Sequence, residues 1–166
     1  TNSGHKSILH AITLTGAVPV FLMPTRNHYG IIGPIPKEEF EWETIQKKIA
    51  ANPLIKDKTK KPRILTITQS TYDGIVYNDE VDILHFDEAW LPHAAFHPFY
   101  ENMHAIDKKK PRTKTSLVFA THSTHKLLAG ISQASQICIQ NSETEKLDRA
   151  GFNESFMMHT STSPQY

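Results

Sequence analysis

Two residues in this chain combine reactive side chains with an informative position. Lys126 lies in "FATHSTHKLLAG" (119–130), where an apolar, β-rich run gives way to Ser123, Thr124 and His125. Asp87 lies in "LHFDEAW", again where an apolar run ends. In open α/β sheets, ligands gather outside the carboxyl ends of the strands. One amine and one carboxylate are therefore expected to face a common crevice.

Several chemistries would use a lysine in that place. A Schiff-base lysine holding pyridoxal phosphate needs an amine nucleophile, an acid to keep the pyridine nitrogen protonated and donors for a phosphate. Lys126, Asp87 and the pair Ser123 and His125 supply those types. A phosphate-cradling P-loop is not matched, because "HSTHKLL" lacks both glycines of the G-x-x-x-x-G-K-[ST] pattern. A metal site has only weak support. His93 and His97 are four apart and His122 and His125 three apart, but prolines 92 and 98 flank the first pair and no H-E-x-x-H is present. Serine hydrolysis lacks G-x-S-x-G, and Cys138 sits inside a strand-like run where a thiol is expected to be inert. An ordinary surface lysine at a strand end stays open on spacing alone.

The elements that must position these groups can be read from the apolar pattern. "ILTITQ" (64–69), "VDILHF" (81–86), "LVFAT" (117–121) and "SQICIQ" (135–140) are short, apolar and β-branched, as buried strands are. "AVPVFLM" (17–23), between Gly16 and Pro24, reads the same way. Residues 7–15 show a helical stripe of Ile8, Leu9 and Ile12 with Gly16 as a stop. Residues 36–53 open with Pro and acids, end in lysines and carry Phe40, Ile45 and Ile49, which predicts one amphipathic helix. Strands alternating with helices predict an α/β fold, a mostly parallel sheet with helices on both faces. One join is short. Only eleven residues separate Gln69 from Val81, where a parallel crossover usually takes a dozen or more. Either these strands are not parallel neighbours, or a connecting helix is missing.

Composition sets the outer limits. The 166 residues are enough for one core, and 18 Lys+Arg against 17 Asp+Glu give no bulk attraction to nucleic acid or anionic membrane. The basic runs 56–63 and 107–114 carry no interleaved aromatics and read as solvated loops. No apolar run approaches the ~20 residues of a membrane span. A single cysteine fits a reducing, cytoplasmic compartment. The polar opening "TNSGHKS" and the tail "TSTSPQY" look like the cut ends of a longer protein.

Longer motifs narrow the choice. "HFDEAW", "THSTHKLLAGISQAS", "FNESFMMHTSTSPQY", "HKSILHAITLTGAVPVFLMPTRNHYGIIGPIP" and "TQSTYDGIVYN" resemble the bacterial inducible lysine/arginine/ornithine decarboxylases, in the same order and across essentially the whole chain. The resemblance implies the large domain of a fold type I pyridoxal 5'-phosphate enzyme of the aspartate-aminotransferase kind, with residues 1–166 as a fragment of it. It implies that Lys126 binds the cofactor covalently and that Asp87 pairs with the pyridine nitrogen. Ala89 would pack against the ring, Trp90 would wall the site and His5 would stack on the ring face. Ser123 and His125 would neighbour the phosphate, although Ser123 could instead be a turn-capping hydroxyl. Residues 160–164 would reach the cofactor of a second subunit, since sites of this kind lie at dimer interfaces. The minimal unit implied is a homodimer, with a decamer built from dimers as a higher form.

This sequence departs from the family pattern in three places. "TNSG" stands where the family shows Asp-Arg-Asn-Cys, the glycine-containing phosphate loop falls before residue 1, and the helix between "TYDGIVYN" and "VDILHFDEAW" is reduced to "DE". The expected reaction is decarboxylation of a basic amino acid, arginine to agmatine first, with lysine or ornithine as alternatives. One proton is consumed per turnover, which suits acid resistance. A non-catalytic assembly subunit and an aminotransferase of the same fold are the competing readings.

Overall fold

The structure, a computed structural model, describes residues 6–68, 81–101, 103–107, 109, 111–128 and 134–159. Its centre is a four-stranded sheet in the order β1-β2-β3-β4, with β1 Ile64–Thr68, β2 Ile83–Asp87, β3 Leu117–His122 and β4 Gln136–Gln140. The first three strands are parallel and β4 closes one edge antiparallel. All four were expected from their apolar, β-branched runs. β1 and β2 pair directly, Ile64 with Ile83 through Thr68 with Asp87, so the first explanation of the short join falls. The connection itself, residues 69–80, lies outside the described residues.

Side chains alternate across a strand, and the two faces of this sheet differ sharply. One face gathers Ile67, Leu84, Phe86, Val118 and Ala120 into a buried cluster with Ala105 and Val81. Phe40 and Leu65 also touch the second cluster, Leu22, Ile45 and Ile49, which joins the sheet to helix α2, Trp42–Ala51. The opposite face carries Thr66, His85, Phe119 and Thr121, and Phe119 meets Phe152 of helix α4, Arg149–His159, at 5.9 Å between ring centroids. Helices thus pack on both faces, as the α/β reading required.

Two expectations need correction. Residues 17–23 form no strand, because their backbone groups are claimed by side chains. Met23 N–H donates to Glu39 at 2.6 Å, Lys48 donates to the Phe21 carbonyl at 3.1 Å, and Asn52 donates to the Pro19 carbonyl at 3.2 Å. Pro19 has no N–H to offer a ladder, and Glu39 and Lys48 pair with each other. The segment is an extended cover over α2, burying Leu22. The helix expected over 36–53 is broken: a 3₁₀ turn, Lys37–Phe40, precedes α2, and Glu41 between them is extended at φ −67°, ψ 137°. The break lets Phe40 reach both clusters, a packing gain that outweighs continuous helix propensity.

Helix α1, Lys6–Thr15, ends where Gly16 predicted. Gly16 takes φ +65°, its N–H donates to Thr13 O, and Ala17 N–H donates to Ile12 O at 3.1 Å, the bond pair of a Schellman cap. Helix α4 was not anticipated from its weak stripe. Asp148 starts it, accepting from the N–H groups of Ala150 and Gly151 at 3.1 and 3.2 Å, the work of an N-cap.

Candidate active site

The carboxyl ends of β2 and β3 lie side by side, with Asp87 paired in register to Thr121. Asp87 is the last residue of β2 and is buried, 9% exposed, although it sits at a strand tip. Its Oδ1 accepts from Ala89 N–H at 3.3 Å, which fixes the turn that follows. Two residues back on the same face, His85 lies between two threonines. Its Nδ1 is 3.4 Å from Thr66 Oγ1 and its Nε2 3.3 Å from Thr121 Oγ1. Burial pushes the His85 imidazole below its ordinary pKa, and the Asp87 charge offsets part of that shift. The sequence reading passed over His85, which looked like one more position in an apolar strand.

Past the tip of β3, Ser123 leads into a single helical turn, α3, Thr124–Leu127. Ser123 occupies the N-cap position but makes no side-chain capping bond, so the capping alternative finds no support in the geometry. Lys126 is exposed, and its Nζ stands 5.1 Å from the centroid of the Trp90 ring, within cation–π reach. Trp90 is half exposed and belongs to the turn after β2. The lysine after one strand is thereby brought onto the turn that follows Asp87. His125 is directed elsewhere: its Nδ1–H donates to the Ala134 carbonyl at 2.8 Å, tying α3 to the approach of β4. His5 and residues 160–164 lie outside the described residues.

The remaining histidines of the weak metal reading have local jobs. His97 Nδ1 accepts from Phe99 N–H at 3.1 Å, and the His93 ring packs edge-on against Tyr100 at 4.9 Å. Cys138 lies in β4 as expected, and burial pushes its thiol pKa up, with the Glu88 charge adding to the shift.

Glu88 follows Asp87 directly in sequence. It is fully buried, its Oε1 accepts from Ala105 N–H at 2.7 Å, and its Oε2 lies 3.0 Å from His122 Nε2. A charged residue with no exposure is rare unless paired. The signal available in the sequence was the acid pair Asp-Glu at a strand end, of which only one can share the face of its predecessor but one.

Taken as donors, the residues suit pyridoxal 5'-phosphate. A buried carboxylate fits a pyridine nitrogen, an exposed amine on an adjacent strand tip fits a carbonyl, and the Ser123 hydroxyl, which makes no capping bond to α3, fits a phosphate oxygen. An acid and an amine at neighbouring tips of a mostly parallel sheet mark this as an α/β domain with its reactive groups at the carboxyl ends of the strands. The chain belongs to the ornithine/lysine/arginine decarboxylase family: the family description "Orn/Lys/Arg decarboxylase, major domain" matches residues 2–166. It is 53% identical over 98% of its length to lysine decarboxylase LdcA of Pseudomonas aeruginosa and 46% identical over 98% to the biodegradative arginine decarboxylase of Escherichia coli. It spans 23% of the length of each of these relatives. The solved structure of lysine decarboxylase A from Pseudomonas aeruginosa superposes with a TM-score of 0.82 at 53% identity, covering 98% of this chain and 23% of that one.

Proposed function

We propose that this chain carries the lysine and the acid of a pyridoxal 5'-phosphate site that decarboxylates a basic α-amino acid. The observation that carries the reading is the convergence of two strand tips: Asp87 in register with Thr121, and Lys126 Nζ over Trp90. When bound, the cofactor supplies an electron sink for the pair left behind when a carboxylate departs as carbon dioxide.

The residues of the chain divide the remaining work. The Asp87 carboxylate, buried at the tip of β2, would hold a proton on the pyridine nitrogen by charge and hydrogen bonding. The Lys126 amine would be the nucleophile that holds the cofactor. Trp90, whose ring centroid lies 5.1 Å from the Lys126 nitrogen, and Ala89 would form the wall beside the cofactor. Ser123 would donate to the phosphate, and His125 supports this turn through its bond to Ala134. By the family resemblance, His5 would stack on the ring face. A proton taken up at the substrate's α-carbon replaces the lost carboxylate, so each turnover consumes one proton.

Among substrates, lysine and arginine stand ahead of ornithine. The arginine preference drawn from the motifs is set against a higher identity to a lysine decarboxylase than to an arginine one, 53% against 46%, while an ornithine decarboxylase of Lactobacillus is 35% identical. The site is proposed to work in the cytoplasm within a homodimer or an assembly of dimers. Exposed Leu9 and Leu14 on α1 and Met157 and Met158 on α4 offer apolar surface to such partners or to the rest of the domain.

The test is carbon dioxide release by the full-length gene product with lysine, arginine and ornithine in turn. Release from lysine or arginine with matching diamine or agmatine is the expected result. A keto acid without gas, or no product from any of the three, contradicts the proposal.

A further inference from the structure

The buried pair Glu88–His122 lies behind the site, on the face of the sheet opposite Asp87. Asp87 and Glu88 are neighbours in sequence, so their side chains leave the strand tip on opposite faces. His122 is the last residue of β3 and directly precedes Ser123. The pair therefore joins the turn bearing Asp87, Ala89 and Trp90 to the turn bearing Ser123 and Lys126.

Each partner is anchored a second time. Glu88 N–H donates to Thr121 O at 3.0 Å, its carbonyl accepts from Leu91 N–H at 2.9 Å, and Oε1 accepts from Ala105 N–H at 2.7 Å. On the other side, His122 Nδ1 is 3.2 Å from Gln136 Nε2 and 3.8 Å from Cys138 Sγ, both on β4. With the Gln136 amide donating to Nδ1, the ring proton resides on Nε2 and is directed at Glu88 Oε2. A fully buried carboxylate whose two oxygens each have a donor is rigid, because moving either partner leaves it without one.

We infer that Glu88 and His122 are positioning residues that fix the Lys126 turn relative to Asp87, acting through the backbone on both sides of the cofactor site. The inference deepens the proposed function and rests on it for the identity of the groups being positioned. Neither residue touches the reacting atoms. Their effect is on the alignment of the amine with the acid, and a displacement of about 1 Å at such a site lowers rates on the order of a hundredfold.

The experiment uses the full-length protein with His122→Gln, which keeps an N–H toward Glu88, and His122→Leu, which keeps bulk but no donor. Three readouts are taken: backbone hydrogen exchange over 122–128 without cofactor, affinity for pyridoxal 5'-phosphate, and the split between kcat and KM. His122→Leu is expected to speed exchange over 122–128, to weaken cofactor affinity about tenfold and to lower kcat with little change in KM. His122→Gln is expected to stay within about threefold of the parent protein in all three. Glu88→Gln, which keeps the Ala105 bond, serves as the second variant should His122→Leu fail to fold, and is expected to show the same pattern at smaller amplitude. Parent-like behaviour of His122→Leu overturns the inference, and so does equal damage from His122→Gln. The proposed function fails separately, if the parent protein takes up no cofactor at Lys126. The exchange readout then still decides whether the pair orders the turn.

Discussion

The two faces of the sheet are built from the same strands and serve different ends. On one, Leu84, Phe86, Val118 and Ala120 are buried at 5% exposure or less and form the main core. On the other, the alternate residues Thr66, His85, Thr121 and Asp87 form a polar lane that runs to the strand tips. A parallel sheet covered on both sides need not be apolar on both sides. One face carries the apolar core, with the Glu88–His122 pair at its tip, and the other carries the polar lane that ends in Asp87.

That contrast is open to direct attack by substitution. The largest change in stability belongs to the apolar face: Phe86→Ala is expected to cost about 3–5 kcal/mol of unfolding free energy, read by denaturant titration of the full-length protein. A comparable loss from Thr66→Ala on the polar face would erase the distinction. Asp87→Asn, close in shape, is expected to lower kcat/KM by about a hundredfold or more while changing stability by less than about 1 kcal/mol. Trp90→Leu removes the ring beneath Lys126, an interaction of about 0.5–1 kcal/mol at an exposed site, and is expected to weaken cofactor retention by about two- to fivefold.

The smallest effect is a slope in pH. Burial holds His85 below the ordinary imidazole pKa in the folded state, so the unfolded chain takes up its proton more readily. The stabilisation from the neutral ring is complete above ~6.5 and is lost as pH falls through the lower folded value. His85→Gln is expected to lose stability less steeply than the parent between neutral and mildly acidic pH, as measured by thermal unfolding across that range. Parallel slopes for the two proteins would mean that the lane does not hold the ring neutral.

The sheet was legible in the sequence because its strands are short, β-branched and bounded by polar turns, and their tips pointed to Asp87 and Lys126. What was not legible depends on contacts between distant residues. Residues 17–23 have the composition of a strand, and only the side chains of Glu39, Lys48 and Asn52 decide otherwise. The break at Glu41 follows from the two clusters that Phe40 joins. His85 and Glu88 looked unremarkable because their partners, Thr121 and His122, lie more than thirty residues on. The roles proposed for Lys126 and Asp87 rest on the resemblance of whole motifs, since spacing alone left an ordinary surface lysine open.

The account rests on Lys126 as the residue that holds the cofactor. Borohydride reduction of the full-length protein with pyridoxal 5'-phosphate, followed by peptide mapping by mass spectrometry, reads this out directly. The account predicts one phosphopyridoxyl group, on Lys126, absent from Lys126→Ala. Stable label on a different lysine, or none in a folded protein saturated with cofactor, would contradict it.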